Sequence, residues 1–526
     1  MHDRLKLTAG TLVICFALLL LYLILLMRGA NFVETAIRQS QTTVLAGSAG
    51  GTIYDRNFQP LVNGKTCHYA AAPPTPETVA AILPHVLEVS PLLEGIRTGE
   101  PFVCKIGTDA IDCEGVTVLD VPERDSDGLA RHVLGYTLEG VGITGLEGDY
   151  DTVLREMDDT ASVSYTVDAR GNVLPGVPPQ VTAIEGKNTS LVTTLDKDIQ
   201  AICEAQPIDK GAVVVMDVHT GDILAMASFP TYDPESLGDA ISDENAPLID
   251  RCLCPYNVGS IFKLMTCAAA YRQGMTHFQT VCTGETEVEG QVFRCHDWNG
   301  HGLLDMKHAM IYSCNAYFVD MSRHLDPLKM RSLAQDFGFG TQFALTKSII
   351  SQSGTLPTTD DLALPAEMAN FCFGQGKLTA TPLQVAQMTC GIAGNGNMPI
   401  ARLIRGFSSD GAQIVGEQTP RYARVLRRNE AYYLQDMMIA AINENENSNA
   451  VPETVHAAAK TSTAQTGRYD ENEVELCHAW ITGYFPLDDP QYAVTVLAED
   501  AGYGNDAAAP VFRDIADGIW RMRGEA

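Results

Sequence analysis

Ser260-Ile261-Phe262-Lys263, then Ser313-Cys314-Asn315, then Lys460-Thr461-Ser462-Thr463 are the stretches on which the reading of this 526-residue chain turns. A free serine hydroxyl is a poor nucleophile and needs an adjacent base. On a helix, positions i and i+3 lie on one face, which puts Lys263 within reach of the Ser260 hydroxyl. Desolvation beside other cations lowers a lysine pKa enough for it to act as that base. Gly259 precedes the serine, and Ile261 to Gln273 is mostly apolar and rich in alanine, a buried-helix pattern. The nucleophile therefore sits at a helix N-terminus, where backbone N–H groups are unpaired and the dipole favours negative charge. Lys460 to Gln465 precedes the apolar run His478 to Phe485. After the turn Pro486 to Pro490 comes a second such run, Gln491 to Ala498. Two hairpin strands beside a Lys-Thr strand predict a sheet edge lining a site.

Other segments extend the pattern. They are Gly51-Thr-Ile-Tyr-Asp55-Arg56-Asn57, His132 to Thr137, Gly142 to Glu147, Thr194 to Gln200, Gly211 to Asp217, and Gly374-Gln-Gly376 followed by Thr381-Pro-Leu-Gln384. With the three motifs they resemble a class B penicillin-binding protein, a monofunctional peptidoglycan D,D-transpeptidase of the penicillin-recognising serine transferases. The resemblance runs from about residue 50 to the C-terminus. It implies an α+β fold, an antiparallel sheet flanked by helices, preceded by an extended, mainly β pedestal and one transmembrane helix. The implied boundaries are 1–28 for the tail and membrane anchor, 29–190 for the pedestal and 191–526 for the transpeptidase domain. Asp55 and Arg56 are implied to hold structural ion pairs. The family signature begins with arginine where this chain has Gly50, so one interdomain salt bridge is expected to be missing.

The same resemblance assigns roles. Ser260 attacks the penultimate D-Ala carbonyl of a stem peptide and Lys263 takes its proton. Ser313 relays a proton to the leaving amine, and Asn315 holds Lys263 and the substrate amide. Lys460 supplies positive potential, the Thr461 hydroxyl binds the substrate carboxylate, and the backbone N–H groups of Ser260 and Thr463 form an oxyanion hole. The family pattern has glycine where Ser462 stands; its added Cβ and hydroxyl are expected to narrow the site. Asp305, His308 and Asp320, near the second motif, read as structural. No metal or organic cofactor is implied. D-Ala-D-Ala stem peptides, β-lactams and a polytopic membrane glycan polymerase are the implied partners.

Composition sets limits. Hydrophobic residues make up 45% and charged residues 19%, enough apolar mass for sizeable cores. A net charge of −29 with no basic run argues against nucleic-acid binding. Leu7 to Met27 is an uncharged, leucine-rich run preceded by Arg4 and Lys6 and followed by Arg28. It is long enough for one membrane span, and no small-x-small cleavage site ends it. It predicts a single-pass signal anchor with the catalytic domain outside the cell membrane. Val511, Ile515 and Ile519 share one helical face that should pack on the sheet.

There are 14 cysteines, many in apolar settings. Cys282 and Cys295 flank a segment with strand-like halves and either form a disulfide or are only neighbours. A zinc set of Cys252, Cys254, Cys295 and His296 matches no standard module spacing. Two other function classes fit the chain: a hydrolytic relative (D,D-carboxypeptidase or β-lactam sensor) and a non-catalytic scaffold activating a glycan polymerase. The presence of every motif nucleophile disfavours the scaffold. The sequence does not separate elongation, division and sporulation.

Overall fold

A computed structural model describes residues 2–27, 40–124, 128–138, 140–157 and 159–524. Its centre is an antiparallel sheet of five strands: β1 (Gly211–Asp217), β2 (Ile223–Phe229), β3 (Ala458–Tyr469), β4 (Glu475–Phe485) and β5 (Tyr492–Ala498), in the order β2-β1-β5-β4-β3. Side chains on a strand alternate between faces, and this sheet is apolar on both. Ala212, Val214 and Met216 of β1, Trp480 and Tyr484 of β4 and Leu497 of β5 join one core cluster. Val213, Val215, Ile481, Phe485, Val494 and Val496 join the other. That is why these strands read as continuous apolar runs rather than as half-polar alternation.

Six helices matter to the site: α1 (Lys197–Glu204), α2 (Lys263–Arg272), α3 (Asn315–Ser322), α4 (Pro382–Ala393), α5 (Arg428–Asn443) and α6 (Ala509–Met522). Leu264 and Ala268 of α2, Leu383 and Ile392 of α4 and Leu434 of α5 cover the first face. Ile199 and Cys203 of α1, with Val511, Phe512, Ile515 and Ile519 of α6, cover the second. The spacing in the last helix thus packs as its periodicity predicts. Strand β4 pairs with β3 on one side and β5 on the other, with Lys460 opposite Thr482 and Ser462 opposite Trp480. Strand β3 is the rim of the sheet.

The chain forms two compact units that interleave in sequence. The smaller takes residues 1–50, 63–124 and 157–188; the larger takes 51–62, 125–156 and 189–526. Within the smaller, Thr160–Thr166 is the centre of one three-stranded antiparallel sheet and Lys65–Ala72 the centre of another. Segments 51–62 and 125–156, inside the range 29–190, belong to the larger unit: Ile53 and Tyr54 lie parallel to Leu191 and Val192, and the Ala130 N–H donates to the Glu204 carboxylate at 2.6 Å. The N-terminal helix His2–Met27 contains Arg4–Leu25, with a mean hydropathy of 2.5 and none of it buried. It is the one helix among the described residues long and apolar enough to cross a membrane.

Arg56 lies 3.9 Å from both Asp217 and Asp222, and Arg402 also pairs with Asp222. Asp55 does something else. It is fully buried, and its Oδ1 accepts from the Asn57 and Gln59 N–H groups at 2.8 and 2.7 Å. Its Oδ2 accepts from the Lys197 N–H at the start of α1, at 3.1 Å. Asp55 therefore ties the 51–62 segment to a helix N-terminus. Asp55→Ala leaves buried donors without their acceptor and should lower the unfolding free energy by about 2–3 kcal/mol. Asp55→Asn keeps one acceptor oxygen and should lose about 1 kcal/mol. Guanidinium unfolding read by tryptophan fluorescence checks both, since Trp298, Trp480 and Trp520 all lie in the larger unit.

Candidate active site

A short 3₁₀ turn, Gly259–Phe262, carries Ser260 and runs directly into α2 at Lys263. The turn lies flat against β3. Gly259 has φ +63°, and a Cβ there would collide with the Ser462 Oγ. Its N–H donates to the Gly374 carbonyl at 2.9 Å, and a Cβ on Gly374 (φ +81°) would collide with the Gly259 carbonyl in return. The Gly374-Gln-Gly376 stretch therefore buttresses the turn that carries Ser260, a role that its sequence alone does not disclose. Ser260 itself stays half-buried.

Lys263 is fully buried under this turn. Its Nζ donates to the Ser313 carbonyl at 2.7 Å, to Asn315 Oδ1 at 2.8 Å and to Ser313 Oγ at 3.3 Å. All three ammonium donors are used. Lys460, nearly fully buried on β3, donates to Ser313 Oγ at 3.2 Å and to the Thr461 carbonyl at 3.0 Å. Two lysines thus converge on one serine hydroxyl. Ser313 has φ +50°, a left-handed conformation that costs a non-glycine residue on the order of 1–3 kcal/mol. It lies just before α3, between the two cations. Burial pushes Lys263 down to about 8. Burial, followed by the Lys263 charge, pushes Lys460 down to about 7.

Strand alternation separates the third motif. Lys460 and Ser462 are buried, while Thr461 and Thr463 are half-buried. Thr463 Oγ1 accepts from the Gly504 N–H at 3.1 Å. The Ser462 hydroxyl donates to the Val258 carbonyl at 2.8 Å, two residues before Ser260. The added hydroxyl that was expected to narrow the site is thus directed at the turn that carries Ser260. Asp305 accepts from the His308 N–H at 2.9 Å and contacts its ring, and Asp320 accepts from Thr280 and Thr286. These three titratable residues hold local structure.

The structure separates the proposed zinc set. Cys252 Sγ faces the Ala227 and Val213 carbonyls of the sheet, at 3.2 and 3.8 Å. All the cysteines, Cys282 and Cys295 included, are free thiols. Cys295 instead joins Cys282, Cys314 and His301. The signal that could have found this group is Cys314 inside the second motif, too distant in sequence from the others to suggest a module.

Residues 211–517 match the family model described as the penicillin binding protein transpeptidase domain. The chain is 27% identical over 437 residues to stage V sporulation protein D of Bacillus subtilis, covering 77% of this chain and 65% of that protein, slightly under two thirds of its length. It is 29% identical over 413 residues to the peptidoglycan D,D-transpeptidase PbpA of Mycolicibacterium smegmatis, covering 72% and 80%. Its fold resembles a chain of the solved structure described as "Structural coordination of polymerization and crosslinking by a peptidoglycan synthase complex", with a TM-score of 0.70, 24% identity and 99% of both chains covered.

The Ser462–Val258 bond supports the turn that presents Ser260. A neutral hydrogen bond of this kind contributes about 1 kcal/mol. Ser462→Gly should therefore slow acylation of Ser260 roughly fivefold rather than speed it. Second-order rates with one small and one bulky acylating agent check the direction; a rise confined to the bulky agent would mean that crowding dominates.

Proposed function

Because the chain belongs to the penicillin-binding protein transpeptidase family, we propose that it cross-links peptidoglycan stem peptides through an acyl-enzyme on Ser260. The observation that carries this reading is the convergence on the Ser313 hydroxyl of Lys460 and of Lys263, which lies one turn on from Ser260. Burial lowers both lysines, and the Lys263 charge lowers Lys460 further. A stem peptide ending in D-Ala-D-Ala brings a carboxylate to Lys460 and the Thr461 hydroxyl. That anion favours the charged form of Lys460, and two charged lysines on one hydroxyl disfavour each other. Substrate binding thus drives the proton off Lys263 as the base is needed.

Ser260 Oγ then attacks the penultimate D-Ala carbonyl and its proton passes to Lys263. The oxyanion lies between the Ser260 and Thr463 N–H groups, donors that typically contribute roughly 10²–10³-fold each. Ser313, bonded to both lysines, returns a proton to the departing D-Ala amine while Asn315 fixes Lys263. An amine from a neighbouring stem peptide resolves the ester and frees Ser260. β-Lactams acylate the same serine.

The N-terminal helix anchors the chain as a single pass, with Arg4 and Lys6 inside and the catalytic unit on the outer side of the cell membrane. A membrane glycan polymerase is its partner. That reading is supported by the fold's likeness to a chain of a synthase complex that couples polymerization to crosslinking.

Peptide mass spectrometry after incubation with a β-lactam should place the covalent adduct on Ser260. Ser260→Ala should abolish it with the fold intact, and an adduct on any other residue would overturn the assignment. The base must be neutral to accept a proton, and the neutral fraction of a lysine grows as pH rises through its pKa. The reading needs Lys263 neutral and Lys460 charged, one proton on the pair. With the two lysines lowered to about 8 and about 7, the acylation rate should rise from about pH 6, peak between about pH 7 and about pH 8, and fall at higher pH. A rate still climbing near pH 10, where an ordinary lysine titrates, would show that neither lysine is lowered.

A further inference from the structure

Each of the residues Tyr256 to Gly259, which lead into Ser260, is fixed by a bond to a different part of the chain. The Tyr256 hydroxyl donates to Oε1 of Glu499, the residue after β5. Trp480 Nε1 of β4 donates to the Asn257 carbonyl at 3.0 Å, and Ser462 Oγ of β3 donates to the Val258 carbonyl at 2.8 Å. The Gly259 N–H donates to the Gly374 carbonyl at 2.9 Å. Strands β5, β4 and β3 are successive neighbours in the sheet. The chain is thus laced to three adjacent strands, in order, on its way to Ser260. We propose that Tyr256 and Glu499 are positioning residues for acylation: the carboxylate, through the Tyr256 hydroxyl, sets where Ser260 stands. This rests on the acyl-enzyme reading of Ser260.

The Tyr256 bond differs in kind from the other three. Those join neutral groups, whereas a hydrogen bond to a carboxylate is roughly twice as strong. Arg251 holds that carboxylate in place. Its Nε donates to the same Oε1 at 2.8 Å, and its remaining nitrogens donate to the Ala246 and Asn245 carbonyls at 3.1 and 2.7 Å. The Arg251 side chain is 4% exposed and that of Glu499 15%, so water competes little for either. The Glu499 main chain is fixed as well, its N–H donating to the Lys210 carbonyl at 2.8 Å. Burial, followed by the Glu499 carboxylate, pushes the Tyr256 hydroxyl up, so it stays a donor at neutral pH.

The ring has its own supports. It stands edge-to-face with His478 at 5.4 Å and with Trp480 at 6.3 Å between centroids, an arrangement that aromatic pairs favour. Tyr256 and Asn257 also pair with Ala380 and Thr379. Phenylalanine would keep all these contacts, so removing the hydroxyl alone isolates the link to Glu499. What the hydroxyl adds is a fixed distance between the end of β5 and the chain that enters the Ser260 turn. Lys460 and the Thr461 hydroxyl, which receive the substrate carboxylate, take no part in the link. It therefore acts on the chemical step and not on the binding that precedes it.

Stopped-flow acylation of the full-length chain in detergent by a β-lactam, resolved into a non-covalent dissociation constant and a first-order acylation constant, tests this. Tyr256→Phe should lower the acylation constant roughly tenfold and leave the dissociation constant within about twofold. Glu499→Gln keeps an oxygen for the hydroxyl but not the charge, and should lose about threefold. The double variant should be no slower than Tyr256→Phe alone, because the carboxylate acts through the hydroxyl. Tyr271→Phe, whose hydroxyl accepts from Asn429 Nδ2 at 2.9 Å outside this link, should match the wild type. A wild-type chain that forms no adduct on Ser260 would overturn the acyl-enzyme reading and this inference with it. Normal wild-type acylation with Tyr256→Phe within about twofold of it would overturn this inference alone. So would a loss carried by the dissociation constant, or losses that multiply in the double variant.

Discussion

Two buried ammonium groups directed at one hydroxyl is the arrangement the rest of the larger unit serves. Among the described residues neither cation has a carboxylate partner; each is held by neutral oxygens. A paired carboxylate would stabilise the charged lysine and keep it from acting as a base. Neutral acceptors hold the nitrogen in place and leave its proton loosely bound. The left-handed backbone at Ser313 turns both its carbonyl and its hydroxyl toward Lys263. The strain there is the local cost of one residue serving two lysines.

The sheet and its helices fix how close these groups come. Ser260 lies on the turn that leads into α2 and Lys263 on its first residue, Ser313 and Asn315 on the entry to α3, and Lys460 on the rim strand β3. No two of these elements are neighbours in the chain. They meet because α2 packs on the first face of the sheet, whose core holds Trp480 and Leu497, and because Gly259 and Gly374 allow contacts closer than any side chain would permit. Deleting a large buried side chain from this core would release distances measured in tenths of an ångström, the scale on which a hydrogen-bonded base works.

Much of this was legible in the sequence because it is written locally. Ser-x-x-Lys at a helix entry needs only helical spacing to be read, and the two apolar runs after Lys460 needed only strand length and a turn. The Val511-Ile515-Ile519 face is equally local. What escaped the reading depends on contacts between distant segments. The Ser462 hydroxyl was read by its size, whereas its partner, the Val258 carbonyl, lies 204 residues away. Cys252 and Cys254 suggested a ligand pair by adjacency, but the sheet turns Cys252 into its own core. Segments 51–62 and 125–156 were grouped with their chain neighbours but belong to the larger unit, the first through its strand pairing and the Asp55 cap.

Strand β3 ends the sheet. A rim strand offers amides and carbonyls at a fixed repeat, set by the peptide unit and indifferent to side-chain identity. Whatever adds itself alongside is selected by its extension, polarity and handedness before its composition is read.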